Sequence, residues 1–198
     1  MNTIKLIVPA LFLGLGVNAQ SFVKGQKDIN LGIGFGNTFI GSGYRTTIPA
    51  ISFSFDFGLT GEISLGGYLG YTGASYEFYG QEVCNSGNNA VIYNYHDTYA
   101  WTYTIVGLRA SYHFAEFIED DKMDLYAGLM LGNNIARYRL TTNSVCPSHA
   151  ANYGSGTYGG FTWSLHAGLR YRLKENLGVF GEVGYGIAYV TLGVTYKI

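Results

Sequence analysis

Long apolar runs are scarce in this chain. Beyond Val17 no stretch approaches the ~18 uninterrupted apolar residues that a membrane helix requires, which excludes a helical span. Charge is scarce as well: Asp, Glu, Lys and Arg make up 13% of the 198 residues, about half the usual soluble share of roughly 25%. A net charge of -1 leaves no basic field to attract nucleic acid. Three prolines do not make a Pro-rich linker. Two cysteines without CxxC or neighbouring His spacing argue against a metal or redox pair, and no cofactor is expected.

Glycine and aromatic residues are abundant instead, with 29 Gly, 18 Tyr and 12 Phe. The first residues read as an export leader: Met1 to Lys5 is short and basic, Leu6 to Val17 is apolar, and Val17-Asn-Ala19 offers small residues before a cleavage point. A signal peptide is therefore expected over 1–19 and one mature domain over 20–198. Gln20, not a cysteine, stands directly after that point, so a lipid anchor is not expected.

The rest of the chain alternates with period two, the mark of half-buried strands. Apolar residues recur at Ile29 to Phe35, Ile51 to Phe57, Ile63 to Tyr71, Val106 to Phe114, Leu125 to Leu131, Phe161 to Tyr171, Leu177 to Tyr185 and Val190 to Ile198. Tyr99 to Thr104 alternates Tyr or Trp with Ala and Thr, leaves its faces unassigned and allows a bulge. The connections at Thr60–Glu62 and Leu173–Asn176 are tight, and Ala115–Lys122 is moderate and acidic. Asn37–Thr47, Tyr79–Thr98 and Thr142–Gly159 read as long polar loops, whereas the connection near Gly186 is short. Short turns at one rim and long loops at the other predict an all-β, eight-stranded, antiparallel up-and-down transmembrane β-barrel with both termini at the short-turn rim.

Alternation alone also fits a soluble exported carrier of lipocalin type, with its apolar stripe inside. Two features favour the membrane. The polar face carries Gly and Ser with only Asp56, Arg109, Arg170 and Glu182 near mid-strand, unlike a solvated surface rich in Lys and Glu. Rings cluster at strand ends (Tyr71, Tyr112, Phe114, Phe161, Trp163, Tyr171, Tyr196), as in interfacial girdles.

Three segments, Gly107-Leu-Arg-Ala-Ser-Tyr-His-Phe114, Phe180-Gly-Glu-Val-Gly-Tyr-Gly186 and Leu192-Gly-Val-Thr-Tyr-Lys-Ile198, carry a resemblance to the small outer-membrane barrels of the OmpA/OmpX type, the outer membrane protein beta-barrel domain. The resemblance spans nearly all of the mature chain. It implies a cell outer membrane location, contact with outer-membrane lipid and lipopolysaccharide, and handling by the barrel-assembly machinery. That family usually ends in an aromatic residue, whereas Ile198 stands last here and Tyr196 two positions earlier.

Candidate site residues follow from the face assignment. Asp56, Arg109, Arg170 and Glu182 are expected to pair inside the lumen and plug it, because unpaired charges in so narrow a space are costly. Large single-channel conductance would refute that plug. Cys84 and Cys146 are expected to form a disulfide between long loops in the oxidising exported compartment. Arg137 and Arg139, beyond the apolar run, suit lipopolysaccharide phosphates, or else mark a solvated strand extension. Ser164 and His166 share a face beside Glu182 and resemble the set used by lipid A deacylase barrels. Their order is reversed from those enzymes, and they face the lumen instead of lipid. The expected role is a non-enzymatic, monomeric barrel with a structural or adhesive function, carried by loops rich in Tyr, Asn, Ser and Gly that would meet an extracellular ligand or surface. A lipid A hydrolase and a soluble carrier remain the alternatives.

Overall fold

The structure, a computed structural model, describes residues 22–39, 41–86, 89–114, 120–146 and 154–198. The expected leader lies outside these residues, as do 115–119 of the acidic connection and Asn152-Tyr153 of the last long loop. The strands are β1 (Lys27–Asn37), β2 (Arg45–Gly58), β3 (Ile63–Ser86), β4 (Asn89–His113), β5 (Met123–Thr142), β6 (Ser155–Arg172), β7 (Leu177–Tyr185) and β8 (Ala188–Lys197). Each pairs antiparallel with its successor, and β8 closes the ring on β1. Closure leaves no open edge at membrane level, the condition for strands to cross hydrocarbon.

Local chemistry fixes the short-turn rim. The Thr60 hydroxyl accepts the N–H groups of Glu62 (3.1 Å) and Ile63 (2.9 Å), which closes the β2–β3 turn. Ile198 donates its N–H to the Lys27 carbonyl (2.9 Å), so the last residue is tied to the first strand. Gly66 lets two strands approach closely, since a Cβ there would stand 1.8 Å from the Phe55 carbonyl oxygen.

The apolar stripe faces outward. Phe53, Leu129 and Leu165 are 42%, 44% and 54% exposed, and Leu31, Leu108 and Val194 share that face. An apolar surface of this extent around a closed ring is a lipid-facing belt. On β3 it runs from Ile63 to Tyr71, about 20 Å along the axis for strands tilted in the usual way. Tyr112, Tyr171 and Tyr196 lie toward the turn rim, with Tyr71, Phe161, Trp163 and Tyr185 toward the other. This is a transmembrane β-barrel of the outer-membrane type, and its outward stripe rules out the inward apolar core of a lipocalin-like carrier.

Two expectations of the sequence are corrected. Tyr79–Thr98 is no loop: β3 and β4 pair without interruption from Ile63↔Tyr112 to Ser86↔Asn89. Likewise β2 begins at Arg45 and β6 at Ser155, well inside the expected loops. These Tyr- and Thr-rich stretches favour strand, but both their faces lie beyond the lipid, so no apolar stripe marks them. The second correction concerns the bulge. The β3–β4 register is regular through Tyr99–Thr104, and the irregularity falls in β2 between Thr46 and Ile51, around Pro49, which has no N–H for a ladder.

Candidate functional site

Inward-facing residues fill the barrel in layers. Nearest the termini, the Phe22 ring stacks on His113 at 3.7 Å, and His113 bonds Asp124 (2.8 Å) and Ser64 (3.0 Å). Above them the Arg170 guanidinium donates to Asp28 (2.8 Å) and Asp124 (3.1 Å) and lies 3.6 Å from Asp56. Arg172 adds a second cation beside Asp28 at 3.3 Å. Asn30 donates to Asp56 (2.8 Å) and Ser54 (2.9 Å). In the next layer Arg109 donates to Glu182 (2.5 Å), and the Tyr126 hydroxyl donates to the same carboxylate (2.8 Å). The Tyr126 ring lies near both cations, 5.7 Å and 5.2 Å from the guanidinium carbons of Arg109 and Arg170, within the reach of a cation–π contact.

An apolar layer closes the upper lumen. Ala50, Ile105, Met130, Ile187 and Ala188 are buried together, with Phe39 and Tyr68 against them. Asp56, Arg109, Arg170 and Glu182 thus share one connected network with Asp28, Asp124, His113 and Tyr126, which sequence reasoning did not single out. A signal for Tyr126, Met130 and Phe180 was present: each is a large residue on a face otherwise made of small polar ones. Phe22 left no such signal, because it precedes all alternation.

Ser164, His166 and Glu182 all face this lumen, but their contacts lead elsewhere. Glu182 is held by Arg109 and Tyr126, and the His166 Nε2 lies 3.1 Å from the Ser111 hydroxyl. Among the described residues no hydrogen bond joins Ser164 to His166. A nucleophile needs its base within such reach, so this set has no assembled proton relay.

Beyond the belt the barrel continues on one side only. The β2–β3 register stops at Arg45↔Ser75 and the β6–β7 register at Leu165↔Tyr185, while β3–β4, β4–β5 and β5–β6 run on. The result is a four-stranded sheet, and its β3–β4 hairpin rises on the order of 40 Å past Tyr71. Cys84 on β3 and Cys146, in the segment after β5, are joined by a disulfide with a Cα separation of 5.8 Å. Ser144 bonds Glu82 beside it, and the Asn143 side chain accepts the His96 N–H at 2.7 Å. The outer face of the hairpin carries Tyr79, whose ring stacks on His96 at 4.3 Å. Its hydroxyl donates to Glu77 (3.1 Å), which pushes the phenol above its ordinary pKa. Arg137 and Arg139 lie on this outer face of β5, exposed, above Ile135. They flank an open cleft of 600 Å³ with Thr102, Ser155 and Thr157.

No family profile and no curated protein matches the chain. Among solved structures it is similar to Ail, the attachment invasion locus protein of Yersinia pestis, with 11% identity over 89% of this chain and 100% of that one and a TM-score of 0.48. It is also similar to the outer membrane protein OprG from Pseudomonas aeruginosa, with 11% identity over 90% and 98% of the two chains and a TM-score of 0.48. The N-terminal beta-barrel domain of Pseudomonas aeruginosa OprF is 16% identical over 88% and 98%, with a TM-score of 0.46.

Proposed function

We propose that this protein is a monomeric, non-enzymatic outer-membrane barrel that serves surface recognition and adhesion. One observation carries the reading: a filled, cross-braced barrel supports a disulfide-tied sheet that stands well clear of the lipid. A side-chain-packed lumen offers no wide path for solutes. Carboxylates neutralised by guanidinium groups serve packing, not proton transfer. The projecting sheet is held rigidly at a distance where another surface can reach it. Deleting Glu77 to Thr98, a paired position of the hairpin, and bridging it with a two-residue turn tests this. The shortened barrel should keep its heat-modifiable gel migration and lose most adherence to epithelial monolayers when displayed on a non-adherent host. Undiminished adherence by a correctly inserted, shortened barrel would sink the reading.

Arg137 and Arg139 give the barrel a partner in its own membrane. Two guanidinium groups side by side suit bidentate contact with phosphate, and their place above the belt is that of the sugar-phosphate region of lipopolysaccharide. Replacing both by Ala should reduce co-purified lipopolysaccharide severalfold by phosphate assay. An unchanged ratio would dispose of this contact.

A further inference from the structure

On the projecting sheet rings recur among the alternate side chains that face the barrel axis. Tyr76 pairs with Tyr99 at a centroid distance of 6.3 Å, Trp101 with Tyr138 at 5.3 Å, and Tyr138 with Tyr158 at 5.6 Å. The β1–β2 connection adds Tyr44 against Tyr76 (5.5 Å) and Phe39 against Tyr103 (5.2 Å). These rings form a wall across four strands at the open mouth, and they are not sealed into a core: Tyr76 and Tyr158 are 36% and 60% exposed. Contiguous exposed aromatic surface above the lipid is the mark of an interaction site.

Two clefts indent this wall. One, of 170 Å³, lies among Phe39, Tyr44, Ala74, Trp101 and Tyr103; the other, of 330 Å³, lies among Tyr44, Tyr76, Phe78 and Tyr99. Tyr44 is common to both, so they are neighbours, and their combined size falls in the range of small-ligand clefts, roughly 300–1,000 Å³. Among the described residues neither is lined by Asp, Glu, Lys or Arg. A charged ligand would find no counter-charge there. A purely apolar one would leave the phenol hydroxyls without partners, which is unfavourable once water is displaced. A pyranose ring meets both requirements: its C–H face packs on an aromatic ring, and its hydroxyls exchange hydrogen bonds with phenols, which both donate and accept.

We propose that these two clefts bind a neutral oligosaccharide, one sugar ring in each, with Tyr44 between them. The inference rests on the projecting sheet being a recognition surface and names the chemistry it recognises. The test uses the mature protein in a zwitterionic, sugar-free detergent. The chain has two tryptophans, so Trp163→Phe, on the lipid-facing belt, leaves Trp101 as the reporter. Maltoheptaose, cellohexaose and a poly-N-acetyllactosamine oligomer are titrated, with dextran sulfate and a Pro-rich decapeptide as comparators. At least one neutral sugar should change Trp101 emission saturably. Tyr44→Phe and Tyr103→Phe should each weaken it about 3- to 10-fold, the equivalent of one lost hydrogen bond. Lys174→Ala, in the β6–β7 turn at the opposite rim, should leave it unchanged. Three results overturn the proposal: no neutral sugar binds; the Tyr→Phe variants bind as tightly as the parent, as a greasy peptide would; or only dextran sulfate binds, through the arginines. Adherence lost on hairpin deletion stands apart from all three, so a failed sugar titration leaves the adhesion reading intact.

Discussion

Exchanging Arg170 for Met should lower the unfolding free energy by about 3–5 kcal/mol, measured by urea titration of the protein folded into lipid vesicles. The guanidinium is fully enclosed and neutralises Asp28 and Asp124 directly, with Asp56 at 3.6 Å. Removing it leaves Asp28, Asp124 and Asp56 with one cation fewer among them in a space walled by protein and lipid, and breaking a buried charge network from one side costs that much. Tyr126 would also lose one of the two cations near its ring. A second substitution separates charge from shape: adding Asp124→Asn to Arg170→Met should recover part of the loss, because one stranded anion disappears. A change under about 1 kcal/mol for the single variant would mean that water reaches these groups and screens them.

The disulfide should matter almost as much, in a different place. Cys84 and Cys146 are 62 residues apart in sequence, and in the chain-entropy picture cross-linking such a loop removes about 4 kcal/mol of unfolded-state freedom. Changing both to Ser should reduce unfolding stability by up to that amount. The belt strands should be spared, since their ladders do not depend on the bridge. Limited proteolysis of intact cells with mass-spectrometric mapping separates the effects. New cleavages should appear within 76–98 and 143–154, while the heat-modifiable barrel fragment persists. Identical cleavage patterns with and without the cysteines would show that the Asn143–His96 and Ser144–Glu82 bonds hold the segment unaided.

What could be read in advance divides at the lipid boundary. Inside it, period two is imposed by physics: Ile51, Phe53, Phe55 and Phe57 must meet hydrocarbon while Ser52, Ser54 and Asp56 must not, so faces and register are written into residue type. Past the boundary that constraint lapses. Tyr93, Tyr95, Tyr99 and Trp101 line one face of β4, but Asn94, His96 and Thr98 opposite them also face water, and the pattern reads as a polar loop. The lumen was legible only in part. Arg109 and Arg170 stand out as charges in a Gly-rich face, whereas Asp28 and Asp124 sit at strand ends, where acidic residues are ordinary. Ile105 and Ile187 run against the rule of polar inside and apolar outside, because the lumen's upper end is packed like a small protein core. Phe22 depends on the chain folding back beneath the barrel, which no local pattern encodes.

The continuous β3–β4 ladder has a mechanical consequence. A tug on the outer hairpin draws β3 and β4 the same way, so the β2–β3 and β4–β5 ladders that flank them resist in shear, many hydrogen bonds at once, instead of being peeled singly. The Cys84–Cys146 bond diverts part of that load onto β5 near the tip. The cross-braced interior then spreads it around the whole ring, with the bilayer as its footing.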